Sequence, residues 1–250
     1  MKNFTTECEA ISAVGYSANF DDYTVASSYT APSARVRPNC WAAINTTTYS
    51  TYSVFPTIYY YSSTNYANST PNCLKFYSYY SSSNSSYDPQ PQYAILPEMT
   101  DLAGKRITLQ AKGYTASSSF KVGTMSDPTD ASSFMEITNT DNPAAMTTSY
   151  QEYIFDITNT TDHYVAIMIE AANSTITTNG VYIDDIVFSL SPTCYAPTEA
   201  HADVQDANNA TISWTSDARN TDGGSYSILD ADQNVVAGAE NITGTSFPTS

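Results

Sequence analysis

The stretch Val181-Tyr182-Ile183-Asp184-Asp185-Ile186-Val187-Phe188 reads as a buried strand with two adjacent carboxylates at its centre. Side chains alternate between faces along a strand, so strict alternation groups Asp184 with Tyr182, Ile186 and Phe188, and Asp185 with Val181, Ile183 and Val187. Neither face is polar. Whichever meets the core, one carboxylate goes with it, and a buried carboxylate left alone is costly enough that it is neutralised, paired or bound to a metal. The stretch calls for a partner from elsewhere in the chain.

The composition bounds what that partner can be. The chain has 250 residues, 41% of them hydrophobic, which is enough for one large domain plus part of another. Lys and Arg total 9 against 25 for Asp and Glu, a formal charge of −16. This argues against nucleic acid or an anionic membrane as partner and is compatible with binding cations. Only 14% of residues are charged, and polarity comes instead from Ser, Thr, Asn and 21 Tyr, a composition suited to pleated surfaces. No stretch approaches the ~20 apolar residues of a membrane span. Cys8, Cys40, Cys73 and Cys194 lie far apart with no C-x-x-C and little His, so disulfides and an extracellular setting are expected rather than zinc. The first eight residues carry no apolar run, so an export signal is expected upstream of this segment.

Short strands follow one another along the chain. Ile107, Leu109 and Ala111 alternate with Thr108 and Gln110, the pattern of a half-buried antiparallel strand. Tyr153, Phe155 and Ile157 alternate with Ile154 and Asp156, while 164–169 is apolar on both faces. No helical period is sustained, and at most 99–102 makes one helical turn. About ten strands with turn signals between them predict an all-β, two-sheet sandwich or barrel over 15–191. Residues 1–14 read as the tail of a preceding module or a linker, with 4–6 strand-like. A Pro-punctuated linker then opens a smaller β unit over 192–250, with strands expected at 210–215, 225–229 and 234–237 and an inward Trp214.

Five motifs stand in an order that resembles the cleaved-adhesin domains: Asn19-Phe20-Asp21-Asp22, Pro38-Asn39-Cys40-Trp41, Tyr93-Ala94-Ile95-Leu96-Pro97, the run from Val122 to Asp130, and Tyr182-Ile183-Asp184-Asp185-Ile186. That family is MAM-like, of the choice-of-anchor J type, and common in surface proteins of Bacteroidetes, including the adhesin regions of gingipain proteases. The likeness covers roughly Tyr16 to Leu190. Residues 195–250 resemble the first part of a fibronectin type III module, an immunoglobulin-like sandwich cut short of its last strands. The resemblance implies a jelly-roll sandwich, structural calcium, and adhesion or glycan binding without catalysis. Carried over, Asp21 or Asp22 from the first strand and Asp184 or Asp185 from the last would supply oxygen ligands to one Ca²⁺. The alternative is that these are surface acids, or that Asp184 accepts backbone hydrogen bonds.

Asp127 and Asp130 have the D-x-x-D look of a second cation site, though Asp-Pro-Thr-Asp is also ordinary turn chemistry. Tyr59, Tyr60 and Tyr61 head a tyrosine-rich set with Tyr49, Tyr52, Tyr77, Tyr79, Tyr80 and Tyr87, either a sugar platform or the cover of a sheet. Three consecutive tyrosines must send at least one ring outward. Four cysteines admit three pairings. The expected one clasps the large domain with Cys8 and Cys194 and joins Cys40 to Cys73. His163 and His201 have no nucleophile constellation beside them, and adjacent Asp184 and Asp185 cannot flank one glycosidic bond. The reading is a non-catalytic extracellular or cell-surface module binding glycans or host or matrix proteins. The alternative is a structural spacer or accessory domain of a larger secreted protease or glycosidase.

Overall fold

The computed structural model describes residues 8–25, 36–45, 54–61, 65–83, 89–138, 142–143, 145–158, 160–206, 209–217, 219–220 and 225–249. The strand-like reading of 4–6, and Tyr49, Tyr52 and Tyr87, lie outside them. The chain forms two compact units, Met1–Ser191 and Pro192–Ser250.

The first unit is an antiparallel two-sheet jelly-roll sandwich. Its strands are β1 (Ser17–Ala18), β2 (Ala42–Asn45), β3 (Val54–Tyr59), β4 (Cys73–Tyr79), β5 (Gln92–Ile95), β6 (Lys105–Gly113), β7 (Lys121–Met125), β8 (Met135–Glu136), β9 (Gln151–Ile157), β10 (Tyr164–Ile169) and β11 (Thr178–Leu190). One sheet runs β3-β4-β11-β6-β9 with β1 beside β11, and the other runs β2-β5-β10-β7-β8. Between them lies one core that joins Leu74, Phe76, Leu109, Ile183 and Phe188 of the first sheet to Val122, Ile167 and Ile169 of the second and to Leu96, just after β5.

The periodicities explain which residues face inward. Along β6 the burial alternates strictly, with Ile107, Leu109 and Ala111 in the core. β10 is covered on both sides, with Val165, Ile167 and Ile169 in the core, and Ala166 and Met168 in a second apolar cluster with Tyr93, Ile95 and Met125. On β9, Asp156 is buried although it faces away from the core. Arg106, its cross-strand neighbour, holds it with two parallel N–H···O bonds of 2.8 Å.

The outer face of the second sheet is closed by the excursion between β7 and β8. Its 3-10 turn, Ala131–Ser133, is capped by Asp130 and delivers Phe134 edge-on to Tyr93, with ring centroids 5.6 Å apart. Gly123 makes room for that ring, because a Cβ there would meet Phe134 at 2.5 Å and the Met135 carbonyl at 2.5 Å.

Two expectations change. Ile11 pairs in parallel with Met99, and Ala13 is wholly buried, so the described part of 1–14 is built into the sandwich instead of standing apart as a tail. The same bridge replaces the helical turn expected at 99–102.

The second unit holds one three-stranded antiparallel sheet, β12 (Thr198–Val204), β13 (Ala210–Thr215) and β14 (Ser246–Thr249), with β13 in the middle. Trp214 is buried against Tyr226. The strands expected at 225–229 and 234–237 reduce to the isolated bridges Tyr226↔Ile242 and Leu229↔Val235.

Gly123→Ala tests the closure of the outer face. The new methyl has to displace Phe134 from Tyr93, and overpacking of this kind costs about 1–3 kcal/mol. A urea unfolding midpoint equal to that of the parent would show that Phe134 does not hold the cluster shut.

Candidate functional site

Strict alternation fails at the acidic pair of β11, and the failure resolves the conflict it posed. The β11–β6 register runs Asp184↔Gln110 and then Val187↔Thr108, so β11 carries one extra residue, and Asp185 takes a left-handed φ of 49°. This β-bulge turns the strand by one position. Val181, Ile183, Ile186 and Phe188 therefore all face the core, Val187 is exposed, and neither carboxylate enters the apolar interior. The apolar spacing of two, three and two residues across this run is the sequence signal for the bulge.

At the bulge β11 also changes partner. Its pairing with β4 ends at Ile183↔Leu74, and pairing with β1 begins at Ile186↔Ala18. The loop leading into β4 crosses this junction and is fastened to both acidic pairs. Asp184 Oδ2 accepts the backbone N–H groups of Asn68 (2.8 Å) and Ser69 (3.1 Å), and Oδ1 accepts that of Asp185 (2.9 Å). Asp185 accepts from the Asn68 amide (2.8 Å) and the Ser69 hydroxyl (2.7 Å). Four residues on, the Asn72 N–H donates to Asp21 (3.2 Å), and its side-chain amide donates to the carbonyls of Phe20 and Tyr23, both at 2.9 Å. First and last strands are thus neighbours, and one loop ties the two acidic pairs together.

Asp184 has no exposed surface. Burial, reinforced by the Asp185 charge, raises its pKa from 3.8 to about 7 despite its three N–H donors.

The donor set bears on the expected calcium. Ca²⁺ takes six to eight oxygen ligands, whereas the oxygens of Asp184, Asp185 and Asp21 are turned toward N–H and O–H groups. Among the described residues no three His, Cys, Asp or Glu side chains converge as a cation cage. These residues fit carboxylates held by hydrogen bonds and do not fit the ion. The fourth acid, Asp22, lines a cleft with Tyr16, Tyr23 and Trp41.

At the second expected site, Asp127 accepts from Thr129 N–H and hydroxyl (2.8 and 2.7 Å), and Asp130 from Ser132 N–H and hydroxyl (2.9 and 2.8 Å). That is turn chemistry, and it shapes the segment that seats Phe134.

The tyrosines gather on the outer face of the first sheet. Leu74 and Phe76 of β4 point inward, so Lys75 and Tyr77 point outward, beside Tyr59 of β3, Tyr182 of β11 and Lys112 of β6. Tyr66 stacks on Tyr182 with centroids 5.0 Å apart, and Tyr59 and Tyr61 meet Tyr66 edge-on. Lys75 Nζ lies 4.1 Å from the Tyr59 ring centre, and Lys112 Nζ lies 4.5 Å from that of Tyr150. Gly180 lets Tyr114 close on Tyr77, since a Cβ would meet Tyr114 Cβ at 2.9 Å. Tyr114 is exposed, and Tyr60, Tyr61 and Tyr77 are half-buried. The two lysines were not among the residues the sequence singled out, although the alternation of β4 and β6 places them outward.

The cysteines pair differently from expectation. Cys8 is bonded to Cys40, with Cα atoms 5.7 Å apart. Cys8 is therefore not joined to Cys194, which is exposed and free. Cys73 is free and buried beneath Tyr59 and Tyr66, where burial pushes its thiol up to about 12. His163 turns its Nδ1 to the Met99 carbonyl at 3.2 Å.

No protein-family model matches the chain, and no curated protein sequence matches it. Among solved structures it is similar to cleaved adhesin domains of Lys-gingipain. The K1 domain from Porphyromonas gingivalis W83 is 14% identical over 71% of this chain and 98% of that one, with a TM-score of 0.47. The K2 domain is 14% identical over 70% and 99%, with a TM-score of 0.49. A family 11 carbohydrate-binding module of Clostridium thermocellum is 12% identical over 72% and 97%, with a TM-score of 0.36. Likenesses this distant assign no ligand and no residue role.

The raised pKa of Asp184 gives stability a pH dependence of definite sign. Between about pH 4 and pH 7 the folded state keeps a proton that the unfolded chain releases, so Asp184 makes stability fall as pH rises through that window. In Asp184→Asn this contribution is absent. Melting temperatures across the window should decline more for the parent than for the variant; parallel profiles would show that Asp184 does not hold the proton.

Proposed function

We propose that the unit Met1–Ser191 is a non-catalytic, extracellular glycan-binding module, and that sugars dock on the tyrosine and lysine face of its first sheet. One observation carries this reading: Tyr59, Tyr61, Tyr66, Tyr77, Tyr114 and Tyr182 are packed ring to ring on one sheet face, with Lys75 and Lys112 seated among them. Such rings offer apolar edges to pyranose C–H surfaces and phenol hydroxyls to sugar hydroxyls. Mutual packing fixes their orientation before a ligand arrives, which lowers the ordering cost of binding.

The lysines add selectivity. In a chain with nine Lys and Arg and a formal charge of −16, two ammonium groups on one aromatic face make it locally attractive to a carboxylate-bearing sugar. Catalysis finds no matching arrangement at the bulge. Asp184 and Asp185 are both engaged by the same two residues of one loop, so they do not oppose each other across a space for a scissile bond.

Glycan-array binding of the parent, Tyr61→Ala, Tyr114→Ala and Lys75→Ala tests the assignment. The parent should retain glycans bearing uronic or sialic acids, and each tyrosine variant should weaken them about tenfold, as expected where one aromatic contact contributes over 1 kcal/mol. Lys75→Ala should lower the acidic signal more than the neutral one. A folded parent that retains neither acidic nor neutral glycans would overturn the reading.

A further inference from the structure

The acids of the first strand divide their work: Asp21 fastens the loop before β4, and Asp22 is left over. A cleft of about 370 Å³ opens between the segment 9–23 and the turn 38–41, and among the described residues the exposed Asp22 and Glu9 are the carboxylates that line it. Among the described residues neither has a hydrogen-bond or ion-pair partner, whereas Asp21, Asp127, Asp130, Asp184 and Asp185 each have at least two. No Lys, Arg or His among the described residues lines the cleft, and Tyr16, Phe20, Tyr23 and Trp41 contribute aromatic rings to its walls.

The aromatic walls are fixed in place. Trp41 Nε1 donates to the Tyr16 hydroxyl at 2.8 Å, and the Asn39 N–H donates to the Tyr23 hydroxyl at 2.8 Å. Phe20 meets Trp41 edge-on at 5.9 Å. The Cys8–Cys40 disulfide joins the residue before Glu9 to the residue before Trp41, so one covalent link sets the two walls against each other. Phe20 and Cys40 both hold a φ of 65°, a conformation that a side chain resists, and both line the cleft.

We infer that this cleft receives a protonated basic side chain, the guanidinium of Arg or the ammonium of Lys, presented by a protein partner. Unpartnered carboxylates supply charge-assisted acceptors, aromatic faces supply cation–π attraction, and the acidic surface as a whole draws a cation toward them. An anion finds no positive donor among the described residues of the lining. The site is separate from the tyrosine and lysine face and of opposite charge preference, so it stands whether or not that face binds glycans.

The test is an NMR titration of the full chain with Nα-acetyl-arginine amide and Nα-acetyl-lysine amide, read at the indole N–H of Trp41 and the backbone N–H of Asn39. Nα-acetyl-citrulline amide and Nα,Nε-diacetyl-lysine amide are the uncharged controls. Saturable shifts are expected for the cationic probes alone, and they should weaken as sodium chloride is raised from 0.05 to 0.5 M, a concentration range over which the screening length falls from roughly 14 to 4 Å. Asp22→Asn and Glu9→Gln should each weaken binding about tenfold. Because neither carboxylate has a partner to lose, both variants should keep the parent melting temperature. Equal shifts with the citrulline probe, a response to calcium or neutral oligosaccharide in place of arginine, or an undiminished arginine response in Asp22→Asn would each overturn the inference.

Discussion

The burial of the Asp184 carboxylate is the constraint on which the rest of the large unit depends. A carboxylate without exposed surface has to be met by donors, and here they are backbone N–H groups of the loop before β4 and of its own neighbour. Meeting that need fixes three things together. The bulge turns Ile186 and Phe188 into the core, β11 passes from β4 to β1, and the loop is brought to where Asn72 can close the turn after β1. Loss of this one acceptor would leave three part-buried N–H groups without it, which is a larger penalty than loss of one bond between exposed groups.

Function follows from the two surfaces this junction organises. On the outer face, the loop lays Tyr66 onto Tyr182, two residues before Asp184, and so completes the aromatic layer over Cys73. On the other side of the junction, Asn72 holds the carbonyls of Phe20 and Tyr23, which steadies two walls of the acidic cleft. The charges sort accordingly, with lysines on the tyrosine face and free carboxylates in the cleft. An excess of acid over the whole chain does not prevent a local preference of either sign, because screening confines each field to about 10 Å at ordinary ionic strength.

Much of the sandwich was legible in the sequence because its strands keep a period of two against a single core. Ile107, Leu109 and Ala111, and Tyr153, Phe155 and Ile157, lie inward as their alternation predicts. The doubly apolar 164–169 is covered on both faces. The bulge was hidden by the assumption of unbroken alternation, although the one-residue slip between Ile183 and Ile186 is visible in hindsight in the apolar spacing. Disulfide connectivity was not legible, since four cysteines fix a set of pairings and not a choice among them. The cleft escaped notice for a related reason. Asn19-Phe20-Asp21-Asp22 and Pro38-Asn39-Cys40-Trp41 lie apart in the sequence, and only the folded chain, joined by Cys8–Cys40, sets one against the other.

The most direct measurement of the central claim is residue-resolved hydrogen exchange at the Asn68, Ser69 and Asp185 amides in chelator-treated protein. If the carboxylate is held by these donors, all three amides exchange slowly without added calcium, and calcium leaves their rates unchanged. Amides that exchange freely after chelation and become protected only when calcium is restored would show that an ion, and not the loop, holds Asp184.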